Sequence, residues 1–111
     1  MSVFSTYKIV TIADTDAFGI VYYLSYLNWC AEARDLFAFQ HLDGFCNQYL
    51  IAVKEMNTNF YSFAKLREEI IIQISLNFCN RKTIHNIYFD LFRKSDSCKL
   101  MTHQETLFIT D

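Results

Sequence analysis

Proline is absent from the 111 residues, and glycine occurs only twice, at Gly19 and Gly44. That removes collagen-like, proline-rich and low-complexity readings, which need those residues in quantity. A strong charge of one sign is also missing. The formal net charge is −2, so the chain lacks the basic footprint of a nucleic-acid binder. No run approaches the ~18 apolar residues of a membrane-spanning helix. The N-terminal Met-Ser-Val-Phe-Ser-Thr-Tyr-Lys has neither the charged nor the apolar region of a secretion signal. The four cysteines (Cys30, Cys46, Cys79, Cys98) include no C-x-x-C pair. They are expected as free thiols of a soluble, cytoplasmic protein rather than as two disulfides.

What the chain has in excess is apolar surface. Apolar types make up 52% of it and aromatics 17%, which excludes the signature of disorder. A domain of this length buries only about 65% of its unfolded surface. So apolar a composition points to further burial in a subunit interface or a ligand groove.

No linker, repeat or charge block interrupts the pattern, so residues 1–111 read as one domain. Val3–Ala13 mixes β-branched and aromatic residues and predicts a strand, ended by the polar, glycine-containing Asp14–Gly19. From about Tyr23 to Gln40 the period becomes helical. Tyr22, Tyr26, Trp29, Ala33 and Leu36 recur at three- and four-residue steps, and Leu27, Cys30, Ala31 and Phe37 widen the stripe. Asn28, Glu32 and Asp35 fall on the outer face, and so broad a stripe suits a helix wrapped by a sheet. His41–Asn47 is a connection. Strands follow at Leu50–Phe60, Glu68–Phe78, Thr83–Arg93 and Lys99–Thr110, with turns at Asn80–Lys82 and Lys94–Ser97. Ile70, Ile72, Ile74 and Leu76 alternate with Ile71, Gln73, Ser75 and Asn77, as in a half-buried antiparallel strand. The order β-α-β-β-β-β predicts an α+β fold, an antiparallel sheet around one long helix.

The segment from Asp14 to Arg34 is the one that could carry chemistry. Asp14 and Asp16 lie one residue apart past a strand, and the helix begins about seven positions later. This spacing sets a carboxylate near a helix N-terminus, whose free N–H groups stabilise developing negative charge. Hydrolysis of an activated acyl group needs such a pair, the carboxylate activating water or attacking the carbonyl itself. Capping and turn formation are the alternative use of Asp in such a loop.

The run D-x-D-x-x-G-I-V-Y-Y-x-x-Y-L-x-W-x-x-x-A-R resembles the signature of hotdog-fold acyl-CoA thioesterases of the 4-hydroxybenzoyl-CoA thioesterase group, nearest to its YbgC-like branch. N-F-Y-S-F-A-K-L-R-E-E-I is similar to the family's segment entering its third strand. The resemblance implies a hotdog fold and a homodimer or homotetramer with the active site shared between subunits. It also implies hydrolysis of acyl-CoA or acyl-carrier-protein thioesters without a cofactor. It maps the catalytic carboxylate to Asp16 and the oxyanion-donating amide to Tyr23, with Gly19 letting the backbone turn close to the thioester and Asp14 as a support residue. Three departures stand out: Tyr23 where YbgC-like members commonly carry His, Phe63 in place of a Pro, and Glu68 in place of an Asp. The Val-Tyr-Tyr-x-x-Tyr-Leu-x-Trp run also resembles thioesterases that release polyketide chains from carrier proteins. Enediyne-pathway members of that group lack the motif carboxylate, so Asp16 argues for a carboxylate-using mechanism.

The remaining candidates have two readings each. Arg34, on or beside the apolar stripe, suits a carrier phosphate, a substrate carbonyl or a structural ion pair. Tyr22, Tyr26 and Trp29 suit either an acyl pocket or plain core. His41, His85 and His103 form no H-x-x-x-H or Cys/His pattern, so no metal site is expected. Asp14-x-Asp16 is no calcium loop, because Phe18 stands where a third oxygen ligand is needed and Ser25 where the closing glutamate is needed. Cys30 sits on the apolar side, where burial keeps a thiol inert. Lys65, Arg67, Arg81, Lys82, Arg93, Lys94 and Lys99 fall mostly at strand ends and turns, fit either for carrier phosphates or for solvent. The reading is a thioesterase; a non-catalytic acyl or acyl-carrier-protein binding module is the alternative, and a dehydratase or hydratase ranks last.

Overall fold

The structure, a computed structural model, describes residues 2–41, 50–78 and 84–110. Five strands, β1 (Ser2–Ile9), β2 (Leu50–Phe60), β3 (Glu69–Phe78), β4 (Ile84–Arg93) and β5 (Lys99–Thr110), form one sheet in the order β1-β3-β4-β5-β2. All four pairings are antiparallel. The helix α1 (Tyr23–His41) lies on one face of the sheet. These are the fold and element order expected from the hydrophobic periods, the hotdog arrangement of one helix on an antiparallel sheet.

Register explains where the core sits. Residues directly opposite on neighbouring strands share a face, so the inner face is built in cross-strand rows. One row is Ile72, Leu91, Met101 and Phe60; the next is Ile74, Phe89, His103 and Thr58; the third is Leu76, Ile87, Glu105 and Met56. Each row is apolar on β3 and β4, and two of them turn polar on β5. From α1, Tyr26, Trp29, Cys30, Ala33 and Phe37 are buried against this face, with Phe4 of β1 edge-on to Phe37 at 5.9 Å. Burying each large side chain contributes about 1.5–3 kcal/mol. The outer face carries Gln73, Ser75, Tyr88, Asp90, Thr102 and Gln104, all half-buried and polar. β2, at the sheet's edge, carries a bulge between Val53 and Glu55, a common way of bending an open edge.

Three expectations change. The first strand ends at Ile9 rather than Ala13, because Asp14 Oδ2 accepts both the Thr11 N–H and the Thr11 hydroxyl at 2.9 Å. That capping box closes Ile12–Asp14 into a 3-10 turn. Tyr22 and Leu36 are each 42% exposed; the buried line runs through Trp29 and Cys30 and passes between them. The third strand begins at Glu69, since Glu68 closes the preceding turn. The connection expected after His41 and the turn at Asn80–Lys82 lie outside the described residues.

Phe89 is 1% exposed at the centre of the middle row. Phe89→Ala is expected to lower the unfolding free energy by about 3–5 kcal/mol, read as a shifted urea midpoint at unchanged slope.

Candidate active site

The loop between β1 and α1 folds back on itself. The Asp16 N–H donates to the Ile20 carbonyl at 2.9 Å, the Gly19 N–H to the Asp16 carbonyl at 3.1 Å, and the Tyr22 N–H to the Asp14 carbonyl at 2.9 Å. Gly19 has φ +78°, a left-handed conformation that favours glycine, and an added Cβ would meet nothing within 4 Å. Its backbone is thus fixed by the turn, while the space beside it is open. The neighbouring segment secures the loop from below: Val21 donates to the Ala64 carbonyl at 3.0 Å, and Ile20 forms an antiparallel bridge with Lys65.

The two motif carboxylates differ in environment. Asp14 has the structural role of closing the Thr11 turn. Asp16 is half-buried, and its Oδ1 accepts the Phe18 N–H at 2.8 Å. Its Oδ2 takes no hydrogen bond from the described residues. Tyr23 is the first residue of α1, where an N–H has no intrahelical acceptor. The loop therefore carries a carboxylate whose Oδ2 is unbonded among the described residues, and it leads directly into the positive end of a helix.

Around this pair the tyrosines divide. The Tyr22 and Tyr23 rings pack at 4.8 Å, both exposed. A hydrogen bond to Tyr23, the leading cause, raises the Tyr22 hydroxyl's pKa. Tyr26 is 2% exposed and belongs to the core. Its hydroxyl accepts the Ala64 N–H at 2.8 Å, and its ring meets Trp29 at 5.3 Å and Phe60 at 5.7 Å. Burial, partly offset by that N–H, raises its pKa. Cys30 is fully buried, and burial pushes its thiol well above the ordinary range.

Arg34 is not brought to the loop. It lies eleven residues beyond Tyr23, ~16 Å along the helix. Its Nη1 donates to Glu105 Oε1 at 2.6 Å, so the ion-pair reading holds. The pair continues inward: His103 Nε2 is 3.0 Å from Glu105 Oε2, and Thr58 Oγ1 is 2.6 Å from His103 Nδ1. His103 and Glu105 are 2% and 1% exposed. Sequence reasoning missed this relay. The signal available was the alternation of Leu107, Glu105, His103 and Met101, which puts two polar residues on an apolar face. Burial pushes the Glu105 pKa up, but the His103 hydrogen bond and the Arg34 charge outweigh it and hold the carboxyl below its usual range.

The cations also separate. Lys8 pairs with Glu32, Arg93 with Glu68 and Asp96, Lys94 with Glu69, and Lys99 with Asp90. Lys65 and Arg67 have no carboxylate partner among the described residues; Lys65 itself forms the bridge to Ile20, and the Arg67 N–H donates to the Val10 carbonyl at 2.9 Å. Arg81 and Lys82, and the side chains of His41 and His85, lie outside the described residues. Among the described residues no three His, Cys, Asp or Glu side chains cluster as a metal site, and no helix is long and apolar enough to cross a membrane.

Removing one partner of a buried ion pair leaves a charge uncompensated. Glu105→Gln is therefore expected to lower stability at pH 7 by about 3 kcal/mol. Because the folded pKa of Glu105 is depressed, this contribution is complete above the unfolded value of about 4.3 and fades as pH falls through the folded one. Urea unfolding at several pH values should show the gap between wild type and variant closing in that acid window.

Comparison with known proteins agrees with this fold. No curated protein matches the chain by sequence. Among solved structures, a 1,4-dihydroxy-2-naphthoyl-CoA thioesterase from Synechocystis superposes with a TM-score of 0.87 at 16% identity, covering 96% of this chain and 80% of that one. The Dynemicin thioesterase, solved in a study of polyene binding, gives 0.85 at 20% identity, covering 95% and 78%. A gentisyl-coenzyme A thioesterase gives 0.81 at 17% identity, covering 95% and 88%. Residues 10–109 match the family described as the thioesterase-like superfamily. That span includes the whole Asp16 loop, α1 and four of the five described strands, and the chain belongs to the thioesterase-like superfamily.

Proposed function

We propose that the protein hydrolyses acyl thioesters, with Asp16 as the catalytic carboxylate and the Tyr23 amide as oxyanion donor. The observation that carries this reading is the Asp16 Oδ2, unbonded among the described residues, in a loop closed onto the first turn of α1. Asp16 either takes a proton from the attacking water or attacks the carbonyl carbon directly. In the first course the water oxygen bonds to that carbon, the C–S bond breaks, and the thiol leaves with the proton Asp16 had taken. The helix N-terminus supports the negative charge that gathers on the carbonyl oxygen in between. Exposed Tyr22 and Tyr23 lie at the mouth of the loop, and Gly19 leaves room for the thioester to approach.

Lys65 and Arg67 are the cations best placed to meet the phosphates of a coenzyme A or phosphopantetheine carrier: neither has a carboxylate partner among the described residues, Lys65 is bridged to Ile20 of the Asp16 loop, and Arg67 is bonded to Val10 just before it. A second copy of the chain completes the site. β2 is an edge strand with exposed Val53, Met56 and Phe60, a row suited to pairing with another edge. Light scattering on the purified protein is expected to give twice the chain mass, or four times for paired dimers.

Thiol release from a panel of aromatic and aliphatic acyl-CoAs tests the reading. Asp16→Asn is expected to lower turnover about a hundredfold or more while leaving substrate affinity near wild type. Turnover unchanged in the variant overturns the assignment. Silence of the wild type with every acyl-CoA, followed by activity on acyl carrier protein, places the carrier; silence with both favours a binding module.

A further inference from the structure

The face of the sheet turned away from α1 holds a cavity of about 330 Å³, lined by no residue of the Asp16 loop. Two cross-strand rows wall it. One runs Ser75, Tyr88, Gln104 and Asn57 across β3, β4, β5 and β2; the next supplies Asp90, Thr102 and Asn59. Phe89 and His103, whose side chains belong to the inner rows, close the floor. The volume falls at the low end for small-molecule sites, but such sites are mostly apolar. Here every wall side chain carries a polar group.

The composition of these rows is not that of an ordinary strand surface. Asn and Asp are depleted from strands, yet Asn57, Asn59 and Asp90 all line this one cavity. Their neighbours are also uncommitted. The side chains of Asn57, Asn59, Ser75, Tyr88 and Gln104 make no hydrogen bond among the described residues. One row further on, by contrast, the Thr106 hydroxyl donates to Asn86 Oδ1 at 2.9 Å. Strands ~4.8 Å apart set the free groups side by side as a grid.

The chemistry of the grid selects its ligand. Each amide and hydroxyl both donates and accepts, the pattern that a hydroxyl-rich molecule offers in return. Charge is balanced: Asp90 Oδ1 lies 3.6 Å from Lys99 Nζ, and no Lys or Arg lines the cavity. A phosphate or carboxylate therefore finds none of the cationic donors that hold such groups. Tyr88 adds an apolar ring beside its hydroxyl, a surface for the C–H face of a sugar. We propose that this cavity binds a neutral, polyhydroxylated ligand, a sugar ring or a cyclic polyol. The inference does not rest on the thioesterase reading, because the cavity and the Asp16 loop share no residue.

The test is an NMR titration of the isotope-labelled protein with glucose, galactose, N-acetylglucosamine, myo-inositol and, as the charged comparison, glucuronate. The signals followed are the side-chain NH2 groups of Asn57, Asn59 and Gln104. At least one neutral compound is expected to shift them saturably, with a dissociation constant of about 1 mM or tighter. Asn57→Ala and Gln104→Ala should each weaken that binding about fivefold or more. Both side chains face away from α1, so the urea midpoint of each variant should stay at the wild-type value. Absence of a saturable shift with every neutral compound overturns the inference, as does unchanged affinity in both variants. Glucuronate binding more tightly than every neutral compound overturns the ligand class. Shifts that grow with protein concentration in the absence of sugar assign the face to a second copy of the chain and overturn the inference as well.

Discussion

Ala64 spends both of its backbone polar groups on the segment that carries the candidate chemistry. Its carbonyl accepts the Val21 N–H and its own N–H donates to the Tyr26 hydroxyl, with the residue itself fully buried. A buried backbone group without a partner is costly, so these two bonds tie the loop and the helix to the segment that follows β2. The tie holds the loop after β1 and the start of α1 against the end of β2, where the Tyr26 ring meets Phe60. Tyr26 is central for the same reason. Its ring fills the core and its hydroxyl anchors a loop, which leaves it no surface for lining an open pocket.

The strands and the helix were legible because their apolar periods are clean. Ile70, Ile72 and Ile74 could only be buried together on a strand, and Tyr26, Trp29, Ala33 and Phe37 only on a helix. Boundaries set by side-chain hydrogen bonds were harder. Nothing in the composition of Val3–Ala13 says that Asp14 reaches back to Thr11 and stops the strand. The difference between Asp14 and Asp16 was legible only through family resemblance, since the sequence presents two equivalent carboxylates. The relay was half legible. Alternation places His103 and Glu105 on the buried face, but Thr58 joins them through a register across β2 that no local pattern encodes.

That register also separates apolar packing from polar bonding within one face of the sheet. On β3 and β4 the inner rows are Ile, Phe and Leu, which pack without directional demands. Toward the open edge the rows acquire a carboxylate, an imidazole and a hydroxyl, each satisfied by the next. A satisfied polar chain of this kind fixes orientation more than it adds free energy. It ties α1, β5 and β2 together where the apolar rows of β3 and β4 give way to the open edge.

The most direct measurement is a crystal structure with a non-hydrolysable thioether analogue of an acyl-CoA, its carbonyl intact. The account predicts the carbonyl oxygen within about 2.7–3.1 Å of the Tyr23 amide nitrogen, with the Asp16 carboxylate facing the carbonyl carbon. An analogue bound with its carbonyl turned away from the start of α1, or seated on the outer face of the sheet, contradicts it.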